Sequence, residues 1–159
     1  MSGVSHEFVS YVHHVGIIVS DLDRSLRFYR DVLGFEVLEE VDLVAGEEVS
    51  TGVGLPDAQL SIVHLKAGDG PTRIELLHYL SPESRPLPHG SISNDIGVGH
   101  AAFHVRDIDG YYGKLKENGV RFISDVQVSS TGEKFCYFYD PDDAILEIIQ
   151  PPEGKLQSL

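Results

Sequence analysis

Hydrophobic and polar positions follow the same order twice along the chain. Residues 14–19 form an apolar stretch that leads into an acidic turn at Asp21, and residues 100–105 form a second stretch that leads into Asp107. In each case a histidine opens the stretch and an aspartate follows seven residues later. Because a carboxylate accepts hydrogen bonds from the free N–H groups of a helix's first turn, both aspartates are predicted helix N-caps.

The elements after these two aspartates also match. Apolar side chains at helical spacing predict helices over about residues 22–33 and 108–118, ending at Gly34 and Gly119, with strands resuming at 35–38 and 120–123. Hairpins are predicted from 60–65 with 73–77, around a turn at 68–71, and from 134–139 with 145–149, around a turn at 140–143.

These elements predict one α+β domain over residues 1–159 that contains two tandem βαβββ modules. The modules span residues 11–80 and 98–150, and a proline-containing connector spans residues 81–97. The tail after Pro151 and Pro152 is predicted to be loosely held.

The last strand of each module contains a glutamate among aliphatic residues, Glu75 in the first and Glu147 in the second. A single glutamate in such a strand commonly lies on a solvent face, and burying one is costly unless it is paired or bound to a metal. Here the pattern of an initial histidine and a final glutamate occurs twice. Two symmetric modules can bring two imidazoles and two carboxylates together, which predicts a divalent-metal site formed by His14, Glu75, His100 and Glu147.

Strand alternation suggests which side chains accompany these four. Residues two or four positions away share a face of the strand, so Arg73 and Tyr79 accompany Glu75, and His104 accompanies His100. Each of them can equally be an ordinary packing or surface residue. The candidate substrate contacts are Arg73, Tyr79, His104 and Tyr137.

Charge and composition narrow the classes of partner. Twelve basic and 25 acidic residues give a net charge of −13, which disfavours nucleic acid as a partner. No apolar run approaches the roughly 18 residues of a membrane span, and the first ten residues lack the pattern of a signal peptide. The single cysteine, Cys136, cannot form an internal disulfide. It is expected to be an inert buried thiol in a cytoplasmic protein.

Three motifs resemble the vicinal oxygen chelate superfamily, which includes glyoxalase I, methylmalonyl-CoA epimerase, extradiol dioxygenases and bleomycin-resistance proteins. They lie at residues 14–35, at Gly97-Val98-Gly99-His100, and at residues 140–147, where Asp143 stands in place of the family's usual glycine. The resemblance covers about residues 11–150. It implies that the modules pair into a curved eight-stranded mixed sheet around a metal held by His14, Glu75, His100 and Glu147.

The resemblance also implies a chemistry. Two histidines and two glutamates favour the glyoxalase I and epimerase branch of lyases and isomerases. These enzymes bind a small molecule with two nearby oxygens at Zn, Ni, Co, Mn or Fe, and move a proton beside a carbonyl through a metal-stabilised enediolate. Glu147 is the first choice for the base and Glu75 the second. Relatives of this size lead us to expect a homodimer, whose metal site lies within one chain or is shared between two.

Two other readings come from different classes. One is an Fe(II) extradiol-type dioxygenase or a metal-dependent transferase. Extradiol dioxygenases usually carry a histidine a few residues before the tyrosine that precedes the Asp-Pro turn, and residues 129–134 contain none. The other is a non-catalytic protein that binds or sequesters a small molecule and retains the metal without turnover.

Overall fold

The computed structural model describes residues 9–88 and 90–152. The first eight residues and the tail beyond Pro152, for which predictions were made above, lie outside this part of the chain, as does one residue of the connector. Within these ranges no helix combines the length and the apolar composition needed to cross a membrane.

Both predicted N-caps are confirmed. Asp21 Oδ1 accepts a hydrogen bond from the backbone of Arg24 at 2.8 Å, and Asp107 Oδ1 accepts one from the backbone of Gly110 at 3.0 Å. The helices they begin are α1 (Leu22–Leu26), which continues as a π-helical segment (Arg27–Val32), and α3 (Ile108–Glu117). The predicted first helix is therefore partly a wider helix.

The first sheet contains four strands, arranged in space as β1, β4, β3 and β2. β1 pairs with β4 in parallel, and the other neighbours are antiparallel. The strands are β1 (His14–Ile18), β2 (Glu36–Ala45), β3 (Gln59–Lys66) and β4 (Arg73–Ser81).

The first module departs from the predicted pattern between its second and third strands. Instead of ending at residue 38, β2 continues to Ala45, and a helix, α2 (Glu47–Val53), follows it. Most residues of β2 are exposed, so the strand shows no hydrophobic alternation from which its length could be predicted. A cavity of about 420 Å³ lies between the end of β2, α2 and the start of β3.

The second sheet contains five strands, arranged as β5, β9, β8 and β6, with β7 also paired to β8. β5 and β9 are parallel, repeating the pairing of β1 and β4. The strand predicted over residues 120–123 is present only as the two-residue β6, and a further two-residue strand, β7, follows it. The strands are β5 (His100–His104), β6 (Arg121–Phe122), β7 (Gln127–Val128), β8 (Lys134–Tyr139) and β9 (Ile145–Gln150).

The α+β class is confirmed, but the chain forms two separate sheets rather than the single eight-stranded sheet that the resemblance implied. The reason is that the modules pack through their helix-bearing sides. Buried residues from both modules form one hydrophobic cluster, in which the Phe35 and Phe103 ring centroids lie 4.9 Å apart. The Tyr111 hydroxyl also donates a hydrogen bond to the Leu33 carbonyl at 2.8 Å. As a result, β1 and β5 each pair on one side only within the described residues.

Candidate metal site

The first half-site consists of His14 and Glu75. In the parallel pairing of β1 with β4, Gly16 lies opposite Glu75, so His14 is two residues before the partner of the glutamate and shares its face. His14 Nε2 lies 3.5 Å from Glu75 Oε2. A Cβ added to Gly16 would lie 3.8 Å from the same oxygen. The absence of a side chain at Gly16 therefore keeps this face open.

The second half-site consists of His100 and Glu147 and repeats this geometry. Ala102 lies opposite Glu147 in the parallel pairing of β5 with β9, so His100 again is two residues before the partner of the glutamate. His100 Nε2 lies 3.1 Å from Glu147 Oε2. In both half-sites the histidine side chain is accessible, at 41% and 43% exposure, and the glutamate is mostly covered, at 14% and 10%.

The distance within each histidine–glutamate pair fits two ligands of one metal ion. Two ligand atoms bound at about 2.0–2.2 Å to one ion lie roughly 3.0–3.6 Å apart, which is the separation within each histidine–glutamate pair. Nitrogen and carboxylate donors together suit several divalent transition metals. In the described residues, however, no three histidine, cysteine or acidic side chains converge on one point where a metal could bind. Each half-site thus supplies two ligands, and the four expected ligands do not meet within the described part of one chain.

His64 contacts the first half-site and was missed by the sequence analysis. It lies directly opposite Glu75 in the antiparallel pairing of β3 with β4. Its Nε2 is 2.8 Å from Glu75 Oε1, and its Nδ1 is 3.5 Å from Oε2 of Glu39 on β2. Because a carboxylate can only accept, Nε2 donates the hydrogen bond to Glu75.

Tyr137 occupies the equivalent position in the second half-site. It lies opposite Glu147 in the pairing of β8 with β9. The His100 and Tyr137 rings meet edge to face, with centroids 5.0 Å apart. Partial burial, followed by the charge of Glu147, raises the pKa of the Tyr137 hydroxyl. Among the candidate substrate contacts, Tyr137 is thus the one that reaches a predicted ligand.

The other candidates lie near the half-sites without contacting them. The side chains of Arg73, Tyr79 and His104 make no hydrogen bond or ion pair with either glutamate in the part of the chain that the structure describes. Cys136 is buried, and burial raises the pKa of its thiol to about 11, which agrees with an inert role.

A cavity of about 740 Å³ runs between the outer edges of β1 and β5, with part of the connector along one side. His100 is among its lining residues, and Ile18 and Leu87 contribute apolar surface. The volume is in the range that accommodates small organic ligands. The second half-site therefore has one residue at a cavity large enough for a small molecule.

Comparison with known proteins identifies the family. A family model, the Glyoxalase/Bleomycin resistance protein/Dioxygenase superfamily, matches residues 11–148. The chain belongs to this superfamily. It is 33% identical to a 2-epi-5-epi-valiolone epimerase from Actinomyces sp, over 90% of this chain and 80% of that protein. It is 30% identical to a probable lactoylglutathione lyase from Synechocystis sp., over 91% of this chain and 98% of that protein.

Solved structures of the superfamily agree with the fold. A glyoxalase family protein from Bacillus cereus superposes with a TM-score of 0.81 at 22% identity, covering 93% of this chain and 98% of that one. At this level of identity the likeness concerns the fold alone. The relatives with higher identity reported above are named as an epimerase and a probable lyase.

Proposed function

We propose that this superfamily member is a divalent-metal-dependent isomerase or lyase, which moves a proton on the carbon beside a carbonyl group of a small molecule with two nearby oxygens. The observation that carries the proposal is the histidine–glutamate pair that recurs in the same strand register in both sheets. The similarity to an epimerase and to a probable lactoylglutathione lyase supports this reaction class.

His14, Glu75, His100 and Glu147 would hold the metal, which is Zn, Ni, Co, Mn or Fe. When bound, such an ion supplies Lewis-acid chemistry, which favours loss of the proton beside a polarised carbonyl. The four side chains also limit what else can bind there, because mixed nitrogen and carboxylate donors suit transition metals better than calcium or magnesium.

Glu147 is the proposed base, with Glu75 as the second candidate. Both oxygens of Glu75 face imidazole nitrogens, Oε1 that of His64 and Oε2 that of His14. Glu147 is buried beside His100 and Tyr137, where water is scarce and a carboxylate can take a proton from carbon. The hydroxyl of Tyr137 can then steady the carboxylate by donating to it.

We further propose a homodimer in which each site takes one half-site from each chain. The two pairs lie on separate sheets of one chain, and β1 and β5 each have an unpaired edge. Unpaired edges are the places where a second chain can extend a sheet. Placing β1 of one chain beside β5 of its partner would join the four-stranded sheet of one chain to the five-stranded sheet of the other and bring the four ligands together.

Metal analysis and solvent deuterium exchange test the function. The purified protein is expected to contain one divalent ion per site and to exchange a carbon-bound proton in a member of a panel of 2-oxo and thioester compounds. Glu147→Gln keeps a coordinating oxygen, so it should retain much of the metal yet lose about 10²–10⁴ in exchange rate. His100→Ala should lose metal and activity together.

Glu117→Gln, on the exposed side of α3, is a control for the loss of one negative charge and should behave like the natural protein. Activity that falls equally in Glu147→Gln and His100→Ala, in proportion to metal content, would make Glu147 a ligand only. Absence of metal from the natural protein, even after incubation with each of the five ions, would remove the proposal.

A further inference from the structure

A row of ionisable side chains crosses the first sheet from edge to edge. Glu39 on β2 pairs in register with His64 on β3, which pairs with Glu75 on β4, and the next strand, β1, carries His14. Each side chain faces the next, at 3.5, 2.8 and 3.5 Å along the row. The metal-binding role proposed for Glu75 accounts for His14 and leaves His64 and Glu39 unexplained.

The imidazole of His64 is held on both sides. Its side chain is 16% exposed and lies between two carboxylates, with the shorter contact to Glu75. Its Nδ1 is buried without a hydrogen-bond partner, and the nearest acidic oxygen belongs to Glu39. A ring so enclosed has little rotational freedom, so its Nε2 can hold Glu75 Oε1 in a fixed position.

The second sheet lacks this arrangement. Tyr137 stands at the position equivalent to His64, and its ring packs against His100 and Phe135. Among the described residues, both oxygens of Glu75 lie near an imidazole nitrogen, at 2.8 and 3.5 Å, whereas Glu147 has one such contact, at 3.1 Å to His100. The two glutamates are therefore equivalent in backbone register and different in how firmly their side chains are held.

We propose that His64 is a positioning residue, which fixes Oε1 of Glu75 so that Oε2 is presented beside His14. The first half-site is then the rigid half that retains the metal, and the second half-site contains the carboxylate that is free to move a proton. This inference rests on the function proposed above. Partners of metal ligands commonly account for about 10–100-fold in metal affinity, which is the size of effect expected here.

The test uses a matched pair of amides at one position. The side-chain nitrogen of Gln can occupy the place of imidazole Nε2 and donate to Glu75, whereas that of Asn can reach only the place of Nδ1. The dissociation constant for Zn²⁺, measured on the full chain by competition with a chelator, should rise about 10–100-fold in His64→Asn. His64→Gln should stay within about threefold of the natural protein, because the donor is retained.

Tyr137→Phe provides the comparison at the equivalent position and is expected to weaken Zn²⁺ binding less than His64→Asn. Asn and Gln are both polar and similar in size. Circular dichroism shows whether the two variants fold. Comparison with His64→Leu and Glu39→Gln then separates a loss of folding from a loss of the hydrogen-bond donor to Glu75. Glu39→Gln should weaken binding less than His64→Asn, because it leaves the donor to Glu75 in place.

Three results would overturn the inference. One is equal Zn²⁺ affinity in His64→Asn and the natural protein, which would leave the proposed function intact. Another is equal weakening in His64→Asn and His64→Gln, which would show that the donor to Glu75 is not what matters. The third is a natural protein that binds none of the five metals, which would remove the proposed function together with this inference.

Discussion

The first and second half-sites have the same backbone and different surroundings. In each, a histidine at the start of a parallel strand lies two residues before the partner of a mostly covered glutamate. On the far side of that glutamate, the first sheet places His64 and the second places Tyr137. On the near side, the strand partner is Gly16 in the first sheet and Ala102 in the second.

This contrast separates what the repeat keeps from what it changes. The register within each half-site brings one nitrogen and one oxygen to 3.1–3.5 Å, as two ligands of one metal require. The residue opposite each glutamate on the neighbouring strand is not one of the proposed metal ligands, so it can be a histidine in one half-site and a tyrosine in the other. We infer that the first half-site retains the metal and that the second transfers the proton.

The largest expected effect comes from mixing two inactive variants. One carries His14→Ala with Glu75→Gln, and the other carries His100→Ala with Glu147→Gln. If each site takes one half-site from each chain, a mixed dimer contains one intact and one doubly defective site. Random exchange of subunits should then restore about a quarter of the metal content and activity of the natural protein.

Each variant subjected alone to the same unfolding and refolding is the control, and neither its metal content nor its activity should rise. A mixture that likewise gains neither metal nor activity would place all four ligands within one chain. The same samples, examined by light scattering, should show dimers, and monomers at micromolar concentration would contradict the shared site directly.

A smaller effect is expected from closing the open face beside Glu75. A Cβ at Gly16 would lie 3.1 Å from Leu77 Cδ1, which is tight, and 3.8 Å from Glu75 Oε2. Gly16→Val adds two more methyl groups there, so it should weaken Zn²⁺ binding and lower the free energy of unfolding by about 1–3 kcal/mol. The chelator competition and a urea titration measure the two quantities.

Ala102→Val is the matched change in the second half-site, where a methyl group is already accommodated opposite Glu147. It should have the smaller effect on both measurements. If Ala102→Val proves as damaging as Gly16→Val, the two faces are equally crowded and the contrast at this position does not hold.

The sequence predicted the helix caps and the position of each glutamate in its strand, because these depend on neighbours along the chain. It did not reveal His64, although the signal was present. Residues equally far along the chain from the centre of a hairpin's turn lie opposite each other. Counting from the centre of the predicted turn at 68–71 places His64 opposite Glu75, as observed. The hairpin was predicted without its register, and register decides which side chains meet across strands.

The same count gives the wrong neighbour in the second hairpin. The centre of the turn at 140–143 places Cys136 opposite Glu147, whereas the structure places Tyr137 there. The turn is longer by one residue, closing with a hydrogen bond from the Asp140 backbone to the Ala144 carbonyl at 3.0 Å. Asp143, at the position of the family's glycine, has a positive φ of 66° within it. A shift of one residue moves every side chain to the other face, so local pattern alone could not have identified this neighbour.

The arrangement of the two sheets was also beyond the sequence. Hydrophobic periodicity identifies which face of a strand is buried but not what covers it. Here the helix-bearing sides of both modules share one core, and the strand edges that the family resemblance joined remain apart in a single chain. Only contacts between modules, such as that of Phe35 with Phe103, decide this.

The turns of the two glutamate-bearing hairpins differ in a way that gives the smallest expected effect. The first turn, around Gly68, is exposed, whereas the second contains the buried carboxylate of Asp140. Asp140 Oδ2 accepts a hydrogen bond from the Tyr29 hydroxyl at 2.9 Å, and Oδ1 accepts two from the backbone of its own turn at 2.8 Å. The second half-site is thus tied to the first module's helical segment through an ionisable group.

Burial, which disfavours the charged form, raises the pKa of Asp140 despite these hydrogen bonds. A raised pKa in the folded state means that Asp140 contributes stability fully below its unfolded pKa, and that this contribution is lost as pH rises through the folded pKa. Asp140→Asn has no such loss. Its free energy of unfolding, measured by urea titration relative to the natural protein, should therefore improve as the pH rises above about 4, the ordinary pKa of an aspartate. Asp69→Asn, in the exposed first turn, is the control and should show no comparable improvement. If the stability of Asp140→Asn relative to the natural protein stays constant or falls as the pH rises, the buried carboxylate does not cause this loss of stability.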